Sequence, residues 1–116
     1  MAKNKAVYLV FSEPTEGMEE EYNRWYNNIH LKQVVETPGI VAAQRFKIAK
    51  DDPSPEPAPE HYLAVYEIDS DMDPVKVTAQ LATMYEQGKL DMSESIDFNR
   101  TKTWVFQAIA DRLVKK

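Results

Sequence analysis

The residue best suited to chemistry is His30, which follows a group of aromatic side chains. Tyr22, Trp25 and Tyr26 precede it, and Tyr26 and His30, four residues apart, share one face if the segment is helical. An imidazole titrates near neutral pH, so it can act as a general acid or base. At a helix end the dipole favours its cation, whereas burial favours the neutral ring. The alternative is a structural role, in which His30 packs at the helix end and bonds a backbone carbonyl.

Further aromatic residues could build a binding site around His30. Tyr8, Tyr62 and Tyr66 have the same parity in two predicted strands, and their hydroxyls could orient a carbonyl or a phenol. Trp25 and Trp104 could form a cavity wall. Any of these side chains could instead belong to the core, because aromatic residues mostly supply buried area. The predicted substrate-contacting residues are Tyr8, Trp25, Tyr26, Tyr62, Tyr66 and Trp104.

The sequence predicts neither a metal site nor a cofactor. Without cysteine, disulfide scaffolds, thiolate zinc sites, iron–sulfur clusters and cysteine nucleophiles are excluded. The two histidines, His30 and His61, are separated by a predicted hairpin and match no metal-ligand spacing. A haem with His30 as axial ligand is chemically possible, but no further motif points to it. A glycine-rich phosphate loop and a Gly-x-Ser-x-Gly motif are also missing.

Composition and charge narrow the class further. The chain of 116 residues suits one domain over its whole length, 1–116. Its 14 basic residues are scattered among 19 acidic ones, which disfavours a nucleic-acid partner. Arg45, inside a predicted strand, is expected to pair with an acid at the sheet edge. No apolar run approaches the length of a membrane span or a signal segment, so the predicted location is cytoplasmic, with no membrane partner.

The order of predicted elements is βαββαβ. Strands are predicted over residues 5–12, 40–48, 61–68 and 100–110, and helices over 16–29, 31–36 and 73–87, with Thr15 capping the first. Asn27 and Asn28 are poor helix formers, so a break or kink is expected near His30. Residues 51–60 hold four prolines and predict an exposed, extended hairpin loop. This order predicts an α+β, ferredoxin-like domain: a four-stranded antiparallel sheet with its helices on one face.

Both faces of the predicted sheet are apolar. The first strand alternates Ala6, Tyr8 and Val10 with Val7, Leu9 and Phe11. Because helices cover only one face, the other would remain in contact with water. Pairing two sheets face to face removes that exposure, so a homodimer is expected, forming an α+β barrel. The face turned toward the partner is expected to line the cavity.

One stretch of the chain combines an aromatic pair, a histidine and then proline–glycine leading into the second strand. Its residues are Trp25-Tyr26-Asn27-Asn28-Ile29-His30-Leu31, Val34, Pro38-Gly39-Ile40, Ala43 and Arg45-Phe46. This pattern resembles the EthD-like branch of the dimeric α+β-barrel superfamily. Related families include methylmuconolactone isomerases, polyketide cyclases, quinol monooxygenases and haem-degrading monooxygenases. The resemblance implies that His30 lines the barrel cavity and transfers a proton.

The leading prediction is a cofactor-independent enzyme that acts on a small aromatic or polyketide-like compound. A positioned base in an apolar pocket suits isomerisation, cyclisation, dehydration, decarboxylation or another lyase-type step. The first alternative is a non-catalytic ligand binder or a structural dimer. The second is a monooxygenase, either cofactor-free or haem-dependent.

Overall fold

The computed structural model describes residues 5–116, which form one antiparallel four-stranded sheet. The strands are β1 (Ala6–Ser12), β2 (Ile40–Lys47), β3 (Tyr62–Ile68) and β4 (Lys102–Gln107). Their order across the sheet is β2-β3-β1-β4, and β1 pairs with both β3 and β4. The βαββαβ order is confirmed. The last strand is shorter than predicted at both ends, and it starts later because Phe98–Arg100 forms a 3-10 turn before it.

The predicted break at the end of the first helix is a π-helical turn. Helix α1 (Glu19–Trp25), the π-helical turn (Tyr26–His30) and helix α2 (Leu31–Val35) follow one another without interruption. The backbone N–H of Leu31 donates to the carbonyl of Tyr26, five residues back, which defines a π-helix. Thr15 does not cap α1, because its hydroxyl donates to the carbonyl of Glu94 instead.

The remaining helix, α3 (Pro74–Glu86), begins as the sequence predicts. Asp73 precedes it and accepts a hydrogen bond from the backbone N–H of Val75, while Pro74 occupies the first turn, where its missing N–H costs nothing. Val77 and Leu81 face the core. None of the helices within residues 5–116 is long and apolar enough to cross a membrane.

The helices cover one face of the sheet and leave the other uncovered in the single chain. On the covered face, Tyr66 of β3 and the α1 residue Tyr22 are among the most deeply buried side chains. The register places Trp104 beside Leu9 on the opposite face, where Trp104 and Phe106 are 49% and 56% exposed. An apolar surface therefore remains on this side of the sheet, which we call the outer face.

The proline-rich loop is exposed only in part. Residues 51–57 are exposed, but the loop ends in Glu60, which is buried. The carboxylate of Glu60 pairs with Lys102 at 2.5 Å, and the carbonyl of Pro59 accepts a hydrogen bond from Arg100. The expectation of a wholly solvated loop over 51–60 is therefore wrong at its last residues, which anchor the loop to the start of β4.

Candidate active site

A cavity of about 260 Å³ lies between the sheet and the helices. It is lined mainly by apolar side chains from β1, β3, the π-helical turn, α3 and the connector after α3. The lining residues are Tyr8, Val10, Tyr26, His30, Val34, Tyr66, Leu81, Ala82, Tyr85, Leu90, Met92, Ile96, Phe98, Thr101 and Thr103. The cavity therefore lies on the helix-covered face of the sheet, and its place on a face turned toward a partner stays a prediction. Because the strands are apolar on both faces, the alternation of residue types along them could not show which face of the sheet lines the cavity.

The π-helical turn sets the position of His30. Its imidazole stacks on Trp25, with centroids 4.6 Å apart and planes at 19°, and meets the ring of Tyr26 edge-on at 5.0 Å. Trp25 is held in turn, because its indole N–H donates to the carbonyl of Asp91 at 2.7 Å. Gln33 bonds both the backbone N–H and the carboxylate of Asp91. The ring of His30 is thus fixed by aromatic contacts.

His30 is a neutral imidazole at physiological pH. Burial, and secondly the positive charge of Arg45, lower the pKa of His30 from 6.5 to about 4. Burial therefore favours the neutral ring, and because the helical segment continues past His30 to Val35, the helix end weighed from the sequence does not lie at this residue. The Nδ1 atom is buried and has no hydrogen-bond partner among residues 5–116. The expected structural role, in which His30 bonds a backbone carbonyl, therefore has no counterpart in the hydrogen bonds of the structure.

Two tyrosines of the cavity lining bring their hydroxyl groups together. The hydroxyls of Tyr66 and Tyr26 are 3.3 Å apart, and both side chains are 1% exposed. Burial raises the pKa of each phenol, so both remain protonated at neutral pH. The hydrogen bond between them uses one of the two protons, and the other can be donated to an oxygen atom of a ligand.

Arg45 of β2 lies behind Tyr26. Its guanidinium carbon is 4.3 Å from the centre of the Tyr26 ring, and its nitrogens donate to the side-chain oxygens of Asn27 at 2.6 Å and Asn23 at 2.9 Å. The expected pairing with an acid is therefore wrong, since within residues 5–116 no ion pair joins Arg45 to a carboxylate. The spacing of Asn23 and Asn27, four apart like Tyr22 and Tyr26, is a sequence signal for this contact.

The predicted site residues divide into two groups. His30, Tyr8, Tyr26 and Tyr66 line the cavity, whereas Trp25 supports His30 from behind. The Tyr62 hydroxyl bonds Glu19 and Asn23 instead, and Trp104 lies on the outer face against Phe11.

Sequence analysis missed two further parts of the lining. These are the connector after α3 and the start of β4, represented by Met92, Ile96, Thr101 and Thr103. The connector has no regular periodicity, so its burial against the cavity leaves no local pattern in the sequence.

The cavity offers little to a metal ion or a haem. No group of three potential metal ligands occurs among the described residues. A haem needs an axial ligand, and the histidine of the lining, His30, is confined between the rings of Trp25 and Tyr26. The cavity therefore offers a haem no free histidine ligand.

Comparison with known proteins establishes the fold but not the family. No family model matches the sequence, and no curated protein is significantly similar to it. A mutant of MhuD, solved with two manganese protoporphyrin IX molecules per active site, is similar in structure. It has a TM-score of 0.58 at 18% identity, with 94% of this chain and 99% of that chain covered. The chain has the ferredoxin-like fold.

Two further solved structures support the same conclusion. A candidate monooxygenase from Shewanella loihica has a TM-score of 0.55 at 14% identity and covers 96% of this chain and 99% of its own. A protein of unknown function from Nitrosomonas europaea has a TM-score of 0.52 at 15% identity and covers 98% of this chain and 97% of its own. At such identities the similarity extends to the fold alone.

Proposed function

We propose that the chain is a cofactor-independent enzyme that uses His30 as a general base on a small aromatic or polyketide-like compound. The observation that carries the proposal is a neutral, ring-packed imidazole in the same apolar cavity as a pair of protonated tyrosine hydroxyls. Small-ligand sites combine an apolar lining with a few convergent polar groups. The cavity of about 260 Å³ suits a compact molecule.

The chemistry follows from these protonation states. A neutral His30 can accept a proton from a carbon next to a carbonyl, or from a phenol or enol hydroxyl. The negative charge that develops on the substrate would raise the pKa of His30 while the proton is transferred. A proton from the Tyr26–Tyr66 pair can stabilise the charged oxygen. His30 can return the proton elsewhere on the substrate, which accounts for isomerisation, cyclisation, dehydration or a lyase-type step.

Two alternatives share the cavity but differ in outcome. A cofactor-free monooxygenase, which the similarity to the Shewanella protein favours, would begin with the same proton transfer from a quinol and would then consume dioxygen. A non-catalytic binder would hold the same ligands unchanged. Oxygen consumption and product analysis on one panel of phenols, quinols and β-keto compounds separate these three outcomes.

The decisive experiment replaces His30. We expect His30→Asn to fold normally and to reduce turnover by about 100- to 10,000-fold, the usual effect of removing a positioned proton-transfer group. His61→Asn is the matched control, because His61 pairs with Glu13 and is absent from the lining. Two results would contradict the proposal. One is unchanged turnover in His30→Asn, and the other is a loss of turnover that a lower fraction of folded protein fully explains.

We also propose that the outer face pairs with a second copy of the chain. An exposed apolar sheet surface that includes Trp104, Phe106 and Phe46 supports this, since such surfaces commonly mark interfaces. Membership of the EthD-like branch, supported by the motif around His30, and a cytoplasmic location remain proposals from the sequence.

A further inference from the structure

Arg45 carries a positive charge that, within residues 5–116, no ion pair joins to a carboxylate. Arg45 is half-buried and bonds only neutral groups, the amide oxygens of Asn23 and Asn27. A guanidinium held this way keeps its full charge, because hydrogen bonds to amides do not neutralise it. Two residues further along the same strand and on the same face, Lys47 differs, since it lies 3.7 Å from the carboxylate of Glu19.

The charge of Arg45 reaches the cavity through Tyr26. The guanidinium lies over one face of the Tyr26 ring, while the same side chain lines the cavity. A cation on the face of a phenol draws electron density from the ring, which strengthens its hydroxyl as a hydrogen-bond donor. The field of Arg45 also extends to His30, whose pKa it lowers. His30 is therefore neutral before a ligand binds.

Nothing in the lining opposes a negative ligand. The lining residues include no aspartate and no glutamate, and the Tyr26–Tyr66 pair has one proton to donate. An oxyanion placed there would accept a strong, charge-assisted hydrogen bond in a site of low polarity. An uncharged hydroxyl would gain much less from the same groups.

We propose that the cavity binds its ligand as an oxyanion, a phenolate or enolate held by the Tyr26–Tyr66 hydroxyls with Arg45 as the uncompensated charge behind them. This deepens the proposed function, on which it rests, by naming the substrate class as compounds with an ionisable hydroxyl on an aromatic ring or an enol. Arg45 is a positioning residue, since it acts on the ligand through Tyr26.

The proposal can be tested by absorption spectroscopy with 4-nitrophenol, whose phenol and phenolate forms absorb at different wavelengths. At a pH where the free probe is mostly neutral, binding to the wild-type protein should increase the phenolate band. Arg45→Gln should abolish that increase and weaken probe binding about tenfold or more, as expected for the loss of an interaction with a charged group. Arg45→Lys, which keeps the charge, should retain most of the phenolate band.

Two controls separate this proposal from a general loss of structure. Lys47→Gln removes a cation that is already paired, and should leave the probe spectrum unchanged. Tyr26→Phe should weaken phenolate binding while Arg45 stays in place, and it provides a second test if Arg45→Gln does not fold. Binding of the probe as the neutral phenol, an unaltered spectrum in Arg45→Gln, or no saturable binding to the wild type would each overturn the proposal.

The outcome is also distinguishable from that of the proposed function. At a pH where the free probe is already the phenolate, His30→Asn should still bind it, since the hydroxyl pair and Arg45 remain. If that variant also keeps full turnover, the catalytic role of His30 is wrong while the oxyanion site stands. If turnover depends on His30 but the probe binds as the phenol, the reverse conclusion holds.

Discussion

The buried imidazole of His30 makes the stability of the protein depend on pH. The pKa of His30 falls from 6.5 to about 4 in the folded chain, first through burial and then through Arg45. Between these two pH values the unfolded chain binds a proton that the folded chain excludes. One pKa unit corresponds to about 1.4 kcal/mol. The free energy of unfolding should therefore fall by about 3 kcal/mol as the pH decreases through this window, and be fully restored above it.

Replacing the titrating ring isolates this contribution. Urea unfolding of wild type and His30→Gln, measured between about pH 7 and about pH 4.5, should show a smaller loss of stability in the variant. The protein concentration must be constant, because self-association would change the apparent stability. His61→Gln is the control, since the side chain of His61 is 48% exposed. This variant should keep the decrease in the free energy of unfolding at low pH that is due to His30. Parallel pH profiles for wild type and His30→Gln, or an NMR titration of His30 near pH 6.5, would refute the reasoning.

Three further predictions concern assembly and folding. Light scattering should give a mass of twice 13.4 kDa, and Trp104→Glu should reduce it to a monomer, whereas a monomeric wild type would rule out pairing through the outer face. Deleting residues 52–57, which are exposed, should change the melting temperature by only a few degrees, and unfolding of the deletion variant would show that the loop packs on the body. Gly39→Ala should lower the free energy of unfolding by about 2 kcal/mol, because Gly39 has φ +94° and an added Cβ would lie 2.6 Å from Val77. The double variant with Val77→Ala should recover part of that loss, and an unchanged stability of Gly39→Ala would contradict the steric argument.

The elements with strong local signals are those that the sequence predicts well. β1 and β3 are apolar runs ended by turn residues, and Asp73-Pro74 marks the start of α3, so each can be recognised without knowledge of its neighbours. The predicted start of α1 is too early because Thr15 resembles a cap, whereas its hydroxyl donates to the carbonyl of the distant residue Glu94. Long-range contacts of this kind have no local pattern.

The candidate site was predictable in its residue types but not in its location. His30 and Tyr26 stand out by spacing, yet Asn27 and Asn28 are as compatible with a kink as with the observed π-helical turn. The predicted acidic partner of Arg45 is wrong because its actual partners, Asn23 and Asn27, depend on how β2 lies across α1. The neighbours of Arg45 are asparagine amides and a tyrosine ring. The expectation that a cation pairs with a carboxylate could not identify them.

Sequence analysis assigned the cavity and the pairing surface to the same face of the sheet, whereas in the structure the cavity and the outer face lie on opposite sides of the sheet. His30 and the tyrosine pair lie on the helix side, whereas Trp104 and Phe106 lie on the outer face. Because successive side chains of a strand point to opposite faces, a substitution at Trp104 changes the outer face without removing any lining residue. A monomeric Trp104→Glu variant that stays folded should therefore still bind 4-nitrophenol as the phenolate. If it stays folded but loses this binding, a partner chain must complete the cavity, and the separation of the two faces would be wrong.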